Sequence, residues 1–368
     1  MTADGRYMAF ASDATNLVDA TSTGGADTNG VRDIFIFDSQ TSLVRRLSLS
    51  QQGAQGNGAS NNPAISSANG RYVAFESNAN NLVLGDTNGF SDIFVVDTLT
   101  GLISRISGAN ATGGQANNPS FKPSISQTGR FVVFQSTATN LTATATSVGR
   151  SHIYLYDRDV SGTGTFDTVG NTSTTVIDVP TAGTESDRDS IQPAISADGT
   201  VVAFTSDATN LDPNAADTNG KRDVFVRNVS SNTTRRVGVV NGTAAEADGD
   251  SQTPSLSSDG HYVAFASLAD NLVAGDGNVV SDIFVYDTTA LVTAPVVTRM
   301  SVSSANAQGS DPSAAGFRLG SINPTISSDG RYVTFASLDD NLASGDTNGQ
   351  FHDGAYATAT AAAPVAGA

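Results

Sequence analysis

Apolar positions along this chain fall into short runs of four to six residues, and the runs recur in nearly the same wording at long intervals. One set reads RYVAFES from Arg71, with relatives beginning at Arg6, Arg130, Thr200, His261 and Arg331. A second reads DIFVVD from Asp92, with relatives beginning at Asp33, His152, Asp223 and Asp282. β-Branched and aromatic residues bounded by Gly and Ser suit a pleated, packed surface, so both sets predict strands. In Ile93-Phe94-Val95-Val96 every position is apolar, which predicts a strand covered on both faces.

Two further segments complete each repeat. Pro-x-Ile/Leu-Ser, at Pro63, Pro123, Pro193, Pro254 and Pro324, leads into a two-residue turn of the kind that closes a hairpin. A weaker run closes the unit: RRLSLS at Arg45, RISG at Arg105, TTVIDV at Thr174, RRVGVV at Arg235 and TRMSV at Thr298. Its mixed polarity predicts an outer, half-exposed strand. The turn glycines Gly5, Gly70, Gly129, Gly199, Gly260 and Gly330 set intervals of 65, 59, 70, 61 and 70 residues. Repeats that share faces share a core, so the period overrides the two or three domains that 368 residues would otherwise suggest.

These features predict an all-β fold, a β-propeller of six blades with four antiparallel strands each, filling residues 1–356 as a single domain. An open β-solenoid is the competing architecture, although it normally has shorter repeats without a hairpin turn in each. The first unit has no Pro-x-Ile-Ser segment and the last stops near Tyr356. The two ends could complement each other within one ring; otherwise the ring closes imperfectly or belongs to a longer chain. Residues 357–368 read as an Ala/Pro-rich tail or linker.

The string Pro-x-Ile-Ser-x-Asp-Gly-Arg-Tyr-Val-Ala-Phe-x-Ser followed by Asp-Ile-Phe-Val-x-Asp resembles the repeat of TolB-like β-propellers, across about residues 3 to 356. The resemblance implies the fold and an extracellular or periplasmic setting. It implies little about activity, because that family mixes scaffolds, propeller halves of peptidases and secreted proteins. The blades here are longer than the plain family repeat, and the added length carries acidic turns.

Composition narrows the partners. Acidic residues outnumber basic ones by 36 to 19, and the glutamates are only Glu76, Glu185 and Glu246. Such a charge excludes a nucleic-acid backbone as ligand. No apolar run approaches the roughly 18 residues of a membrane span, so no membrane insertion is expected. Cysteine is absent, which excludes disulfides, thiolate metal sites and cysteine nucleophiles. No signal peptide is visible, but Met1 enters the repeat in mid-unit and upstream sequence is an open question.

The acidic turns are the candidate chemistry. Asp86-Thr87-Asn88-Gly89 precedes the strand that begins at Asp92, and Asp86, Asn88 and Asp92 offer three side-chain oxygens. The corresponding sets are Asp27, Asn29 and Asp33; Asp217, Asn219 and Asp223; Asp276, Asn278 and Asp282; and Asp346, Asn348 and Asp353, the last with one extra residue before its final Asp. The loop resembles calcium loops on integrin-type blades but lacks their third carboxylate. Ca2+ takes six to eight oxygens at about 2.3 to 2.6 Å, which this loop supplies only in part. The competing expectation is a plain hairpin turn, with the first Asp in an Asx-turn and the last capping the strand entry. The third repeat is an internal control: Thr142 to Ser151 contains no Asp, and His152 stands where the others have the closing Asp.

A second candidate, DRDVSGTGTFD, echoes an EF-hand loop counted from Asp159, with Ser161, Thr163 and Asp167 as oxygens, but it has no bidentate Glu. The alternations Glu185-x-Asp187-x-Asp189 and Glu246-x-Asp248-x-Asp250 read as solvated connections. His152, His261 and His352 fall at different places in the repeat, and neither a G-x-S-x-G elbow nor a Walker-type loop is present. The expectation is a non-catalytic, monomeric propeller domain that binds a protein or a glycan, its loops ordered by calcium or by turn chemistry. A carbohydrate-active hydrolase or lyase using the central channel, and a structural repeat of a larger surface protein, are the alternatives.

Overall fold

The structure is a computed structural model; it describes residues 1–357 except 20, 23, 110–113, 145, 182–184, 214–216, 291–292, 311–319 and 344–351. The described residues form strands and turns without a helix. They divide into two compact units, Met1–Asp178 with Ala197–Gly199, and Val179–Ser196 with Thr200–Ala368.

The first unit holds three sheets, each a meander whose neighbours in sequence are neighbours in space. Repeat 1 contributes β1 (Tyr7–Ser12), β2 (Asp33–Asp38) and β3 (Leu43–Arg46). Repeat 2 contributes β4 (Ser60–Ile65), β5 (Tyr72–Ser77), β6 (Asp92–Asp97) and β7 (Ile103–Arg105), followed by a ribbon of β8 (Gly108–Ala109) and β9 (Gly114–Gln115). Repeat 3 contributes β10 (Ser120–Ile125), β11 (Phe131–Ser136), β12 (His152–Asp157) and β13 (Ser173–Val176).

The second unit repeats the plan. Repeat 4 has β14 (Ser190–Ile195), β15 (Val201–Ser206), β16 (Asp223–Asn228) and β17 (Thr233–Arg236). Repeat 5 has β18 (Ser251–Leu256), β19 (Tyr262–Ser267), β20 (Asp282–Asp287) and β21 (Val297–Arg299), and repeat 6 has β22 (Ser321–Ile326), β23 (Tyr332–Ser337) and β24 (His352–Ala357). All pairings are antiparallel.

The apolar runs do what their lack of alternation predicts. Ile93, Phe94, Val95 and Val96 are all buried, two side chains facing each neighbouring sheet. Ile93 and Val95 pack with Tyr72 and Ala74 against Val132 and Phe134 of repeat 3. Phe94 and Val96 pack with Val73 and Phe75 against Ile34 and Ile36 of repeat 1. Repeats 4 and 5 share a core of the same design, as do repeats 5 and 6. Stacked pairs Phe75–Phe94, Phe204–Phe225 and Phe265–Phe284, with ring centroids 5.9 Å apart, mark the central pair of strands in three sheets.

In repeats 2 to 6 the first strand starts three residues before the proline that announced it, on a serine. Between that serine and the proline, Asn62, Lys122, Gln192, Thr253 and Asn323 hold φ of +49 to +55°. The register to the next strand slips at the same place in each sheet. A proline has no N–H to give a ladder, and a bulge beside it is where a sheet tolerates one. The turn glycines serve the neighbouring sheet as well as their own hairpin. A Cβ on Gly129, at φ +79°, would lie 2.3 Å from the Tyr72 ring of the preceding repeat. Gly70, Gly260 and Gly330 meet Tyr7, Val201 and Tyr262 in the same way.

Candidate functional site

The acidic turns converge on a residue type that the turn motif does not contain. The closing strands of repeats 1, 2, 4 and 5 end on Arg46, Arg105, Arg236 and Arg299, registered opposite Phe35, Phe94, Phe225 and Phe284. Each guanidinium reaches both carboxylates of its own turn. Arg46 lies 3.8 Å from Asp27 and 3.5 Å from Asp33. Arg105 lies 3.3 Å from Asp86 and 3.7 Å from Asp92. Arg299 lies 3.0 Å from Asp276 and 3.7 Å from Asp282. Arg236 gathers three acids, Asp223 at 3.1 Å, Glu246 at 3.2 Å and Asp217 at 4.0 Å.

The strand-entry aspartate is held from a second side. Ser48 donates to Asp33 at 2.5 Å, Ser107 to Asp92 at 2.6 Å, and Ser301 to Asp282. The same serine oxygens accept the N–H of Ile34, Ile93 and Ile283. These aspartates therefore tie the third strand to the start of the outgoing connection. Burial pushes the Asp33, Asp86, Asp92, Asp217 and Asp276 carboxyls above their usual range, against the pull of the arginine. Asp223 and Asp282, the most enclosed, are pushed up to about 7.

The asparagine of the turn has two jobs. Its carbonyl closes an Asx-turn, accepting the N–H of Val31, Phe90, Lys221 or Val280 two residues on. Its amide grips the connection that enters the next sheet, donating to the carbonyls of Gly56, Ala116, Ala247 and Gly309 at 2.7 to 3.2 Å. The connection grips back: Gln55, Gln115 and Glu246 accept the N–H of Thr28, Thr87 and Thr218. The Asp-Thr-Asn-Gly loop is thus a two-way fastener between neighbouring repeats. The Asn closes an Asx-turn of its own, in addition to the one expected at the preceding Asp, where Asp27 accepts the Asn29 N–H at 3.4 Å.

The donor set, as arranged, does not fit a resident calcium ion. Each loop supplies two carboxylates, a guanidinium lies against both, and the asparagine oxygen is turned to a backbone N–H. Among the described residues no group of three or more His, Cys, Asp or Glu side chains is spaced to hold a metal. Asp346 and Asn348 lie outside the described residues, and Asp353 is described only as a backbone position in β24.

Repeat 3 exchanges the whole cluster at once. His152 replaces the strand-entry aspartate, Asp178 replaces the serine, Val176 stands in the arginine position opposite Tyr154, and the acidic turn is absent. His152 Nδ1 lies 2.9 Å from Asp178, whose other oxygen accepts the Ile153 N–H at 2.9 Å. The Tyr154 hydroxyl, absent from the phenylalanines elsewhere, donates to the Ala138 carbonyl and meets Thr146. The buried hydrogen-bonded link survives, with the carboxylate now on the outgoing side.

The EF-hand-like loop is closed by its own donors. Asp159 accepts Thr163 N–H and Oγ1 at 3.0 Å, Gly164 N–H at 2.6 Å and the Asn171 amide at 2.7 Å. Burial alone would raise its carboxyl, yet these donors together hold it near 2. Asp167 faces away, to Arg158, and the Ser161 N–H donates to Asn171. The four residues therefore do not converge on one point. The acidic alternations are acceptors for distant loops: Asp187 accepts the Thr209 N–H, Asp248 the Asp270 N–H and Asp250 the Arg222 N–H.

The arginines and the Gln/Glu of the connections were missing from the sequence-based site. The signal was present: Arg occurs in the closing run of four repeats and is absent from the repeat that lacks the acidic turn.

No family model and no curated protein matches this chain. Solved structures do, at low identity. TolB from Acinetobacter baumannii is 14% identical with a TM-score of 0.45, over 96% of this chain and 64% of that one. The chain thus spans just under two thirds of that relative. A TolB from Agrobacterium tumefaciens is 16% identical with a TM-score of 0.44, over 82% of this chain and 76% of that one. An oligogalacturonate lyase in complex with manganese is 13% identical with a TM-score of 0.44, over 97% of this chain and 87% of that one.

Proposed function

We propose that this chain is a non-catalytic β-propeller module of the cell exterior or periplasm, which binds a protein or a glycan on rigid repeats fastened by arginine-centred clusters. The observation that carries the reading is where the acids go. The carboxylates of the acidic turns in repeats 1, 2, 4 and 5 are turned inward to an arginine, a serine or a neighbouring connection. Groups so engaged hold sheets together and are not poised to move protons on a substrate. Among the described residues no helix is long and apolar enough to cross a membrane.

The test is a panel of neutral and acidic polysaccharides and unfolded peptides. Binding is measured by calorimetry, and bond cleavage by reducing-end release and by absorbance of unsaturated uronates. Saturable binding without cleavage supports the proposal; turnover of any member of the panel overturns it. Calcium ordering of the loops is tested alongside, by melting the protein in EDTA and in millimolar Ca2+. An upward shift with Ca2+ that is lost in Asp86→Ala/Asp92→Ala would restore calcium as the loop organiser.

A further inference from the structure

The chain contains seven Asn-Gly pairs, and the fold gives six of them different surroundings; Asn348-Gly349 lies outside the described residues. Such a pair is chemically open, because glycine has no Cβ to shield its nitrogen from the side-chain carbon of the asparagine before it. Whether the two atoms meet depends on how the asparagine is held.

At Asn29 and Asn88 the fastener holds them together. Each side-chain carbonyl accepts the N–H two residues on, from Val31 at 3.1 Å and from Phe90 at 2.9 Å. This turn copies a β-turn with Cγ in place of a backbone carbonyl carbon, so it swings Cγ toward the nitrogen of Gly30 or Gly89. The same bond polarises the carbonyl, as an oxyanion donor does. Nδ2 donates at 3.1 Å to the strand-entry carboxyl, Asp33 or Asp92. Burial pushes both carboxyls up, so they keep a proton more readily than a free aspartate. Both glycines are exposed, at φ +70 and +73°, and among the described residues no backbone carbonyl accepts their N–H.

The other pairs lack part of this set. Gly70 and Gly242 give their N–H to the carbonyls of Ser66 and Pro295, at 3.0 and 2.9 Å. Asn57 turns its carbonyl to the Asn80 N–H and its amide to the Asn80 side chain, away from Gly58. Asn219 has the turn, but Asp223 is engaged by Arg236 at 3.1 Å. In repeat 5, Asn278 has both the turn and a carboxyl, Asp282 at 3.2 Å, yet the next residue is the β-branched Val279.

We propose that Asn29 and Asn88 are sites of self-catalysed deamidation, with water as the co-substrate. The Gly89 nitrogen, its proton passed to solvent, bonds to Cγ of Asn88. The Cγ–Nδ2 bond breaks, and ammonia leaves with a proton from Asp92 that solvent replaces. Water then adds to either carbonyl of the five-membered imide and leaves an aspartate or an isoaspartate at position 88. Asn29, Gly30 and Asp33 follow the same course. The product has no N–H for the Gly56 or Ala116 carbonyl that the amide now holds, and it sets a second carboxylate against the strand-entry one. Deamidation therefore undoes the fastener between repeats 1 and 2 and between repeats 2 and 3, so the seams loosen with the age of the molecule.

The test holds the whole chain for weeks at mildly alkaline pH, folded and in urea. Conversion at each pair is read by peptide mass mapping and by enzymatic methylation of isoaspartate. In the folded chain Asn29 and Asn88 should convert at least about tenfold faster than Asn57, Asn69 and Asn241, since fixed geometry and a positioned acid each contribute that much or more. Asn219 should fall between, and urea should level the six pairs. Val279→Gly completes the set in repeat 5 and should make Asn278, inert in the wild type, convert like Asn88. Conversion of Asn29 and Asn88 no faster than that of Asn69 and Asn241 overturns the proposal, as does conversion slower in the fold than in urea, or an Asn278 that stays inert in Val279→Gly. Asn219 converting as fast as Asn88 would overturn the part given to the carboxyl.

Discussion

Removing the arginine from the most acidic cluster separates the two accounts of the acidic turns. In Arg236→Met the side chain keeps its bulk, while Asp223 and Glu246 lose a partner at 3.1 and 3.2 Å and Asp217 one at 4.0 Å. Asp223 has a fully buried side chain, so its charge cannot be passed to water. Loss of one partner from a buried pair typically costs about 3–5 kcal/mol. At roughly 2–4 °C per kcal/mol for a unit of this size, the melting temperature should fall by roughly 6–20 °C. The same substitution leaves three carboxylates facing one space, which a divalent cation then suits. If Ca2+ binds there in the 10⁻⁴ to 10⁻³ M range, a tenfold excess over Kd returns about 1.4 kcal/mol. The assay is a pair of melts, with EDTA and with 5–10 mM CaCl2 (roughly ten times such a Kd), on wild type and variant. A variant that melts like wild type, or a wild type that gains as much from Ca2+ as the variant, would refute the reasoning.

Other outcomes follow from the same geometry. Asp223 and Asp282, pushed up to about 7 by burial, and the other raised turn carboxyls hold protons in the fold that the unfolded chain releases near pH 4; stability from this set is full below that pH and falls as pH rises toward 7. Asp38, held near 2 first by its hydrogen bond from Arg6, contributes stability that is lost as pH falls below about 4. Melts from pH 2.5 to 8 should therefore peak between about 4 and 5, and a melting temperature still climbing from pH 5 to 8 would contradict the assignment. Val279 holds φ +54° in the turn slot that Gly30, Gly89 and Gly220 occupy elsewhere; Val279→Gly relieves a β-branched residue there and should raise stability by about 1 kcal/mol in urea titration. Gly129→Ala puts a Cβ against the Tyr72 ring, whereas Gly101→Ala, at nearly the same φ, meets open space; the first should melt well below the second, and equal melts would refute the packing role. Tyr154→Phe deletes a buried hydroxyl bonded to Ala138 and should cost about 1–2 kcal/mol.

Much of the strand plan was legible because each second and third strand carries all the residues it needs to be buried on two faces. RYVAFES and DIFVVD announce this without reference to anything distant. The first strand was legible only from its proline onward, since Ser-Asn-Asn and Ser-Phe-Lys carry no apolar alternation and their pairing depends on a left-handed residue that no composition rule picks out. The acidic turns were found, but their partners were not. Arg105 lies 19 residues beyond Asp86 and meets it only because the meander folds back. Gln115 is farther still and acts on the turn through the next sheet's entry. The substitution of the entire cluster in repeat 3, from Asp, Ser and Arg to His, Asp and Val, shows that these positions answer to one another. A reading that compared closing strands as well as turns would have found the arginine.

The proline bulges have one more consequence. An inner strand lies at the rim of its sheet, and a straight rim invites other chains to pair with it until they accumulate. In repeats 2 to 6 a left-handed residue and a proline interrupt that rim, so it offers neither a continuous row of N–H groups nor a flat path.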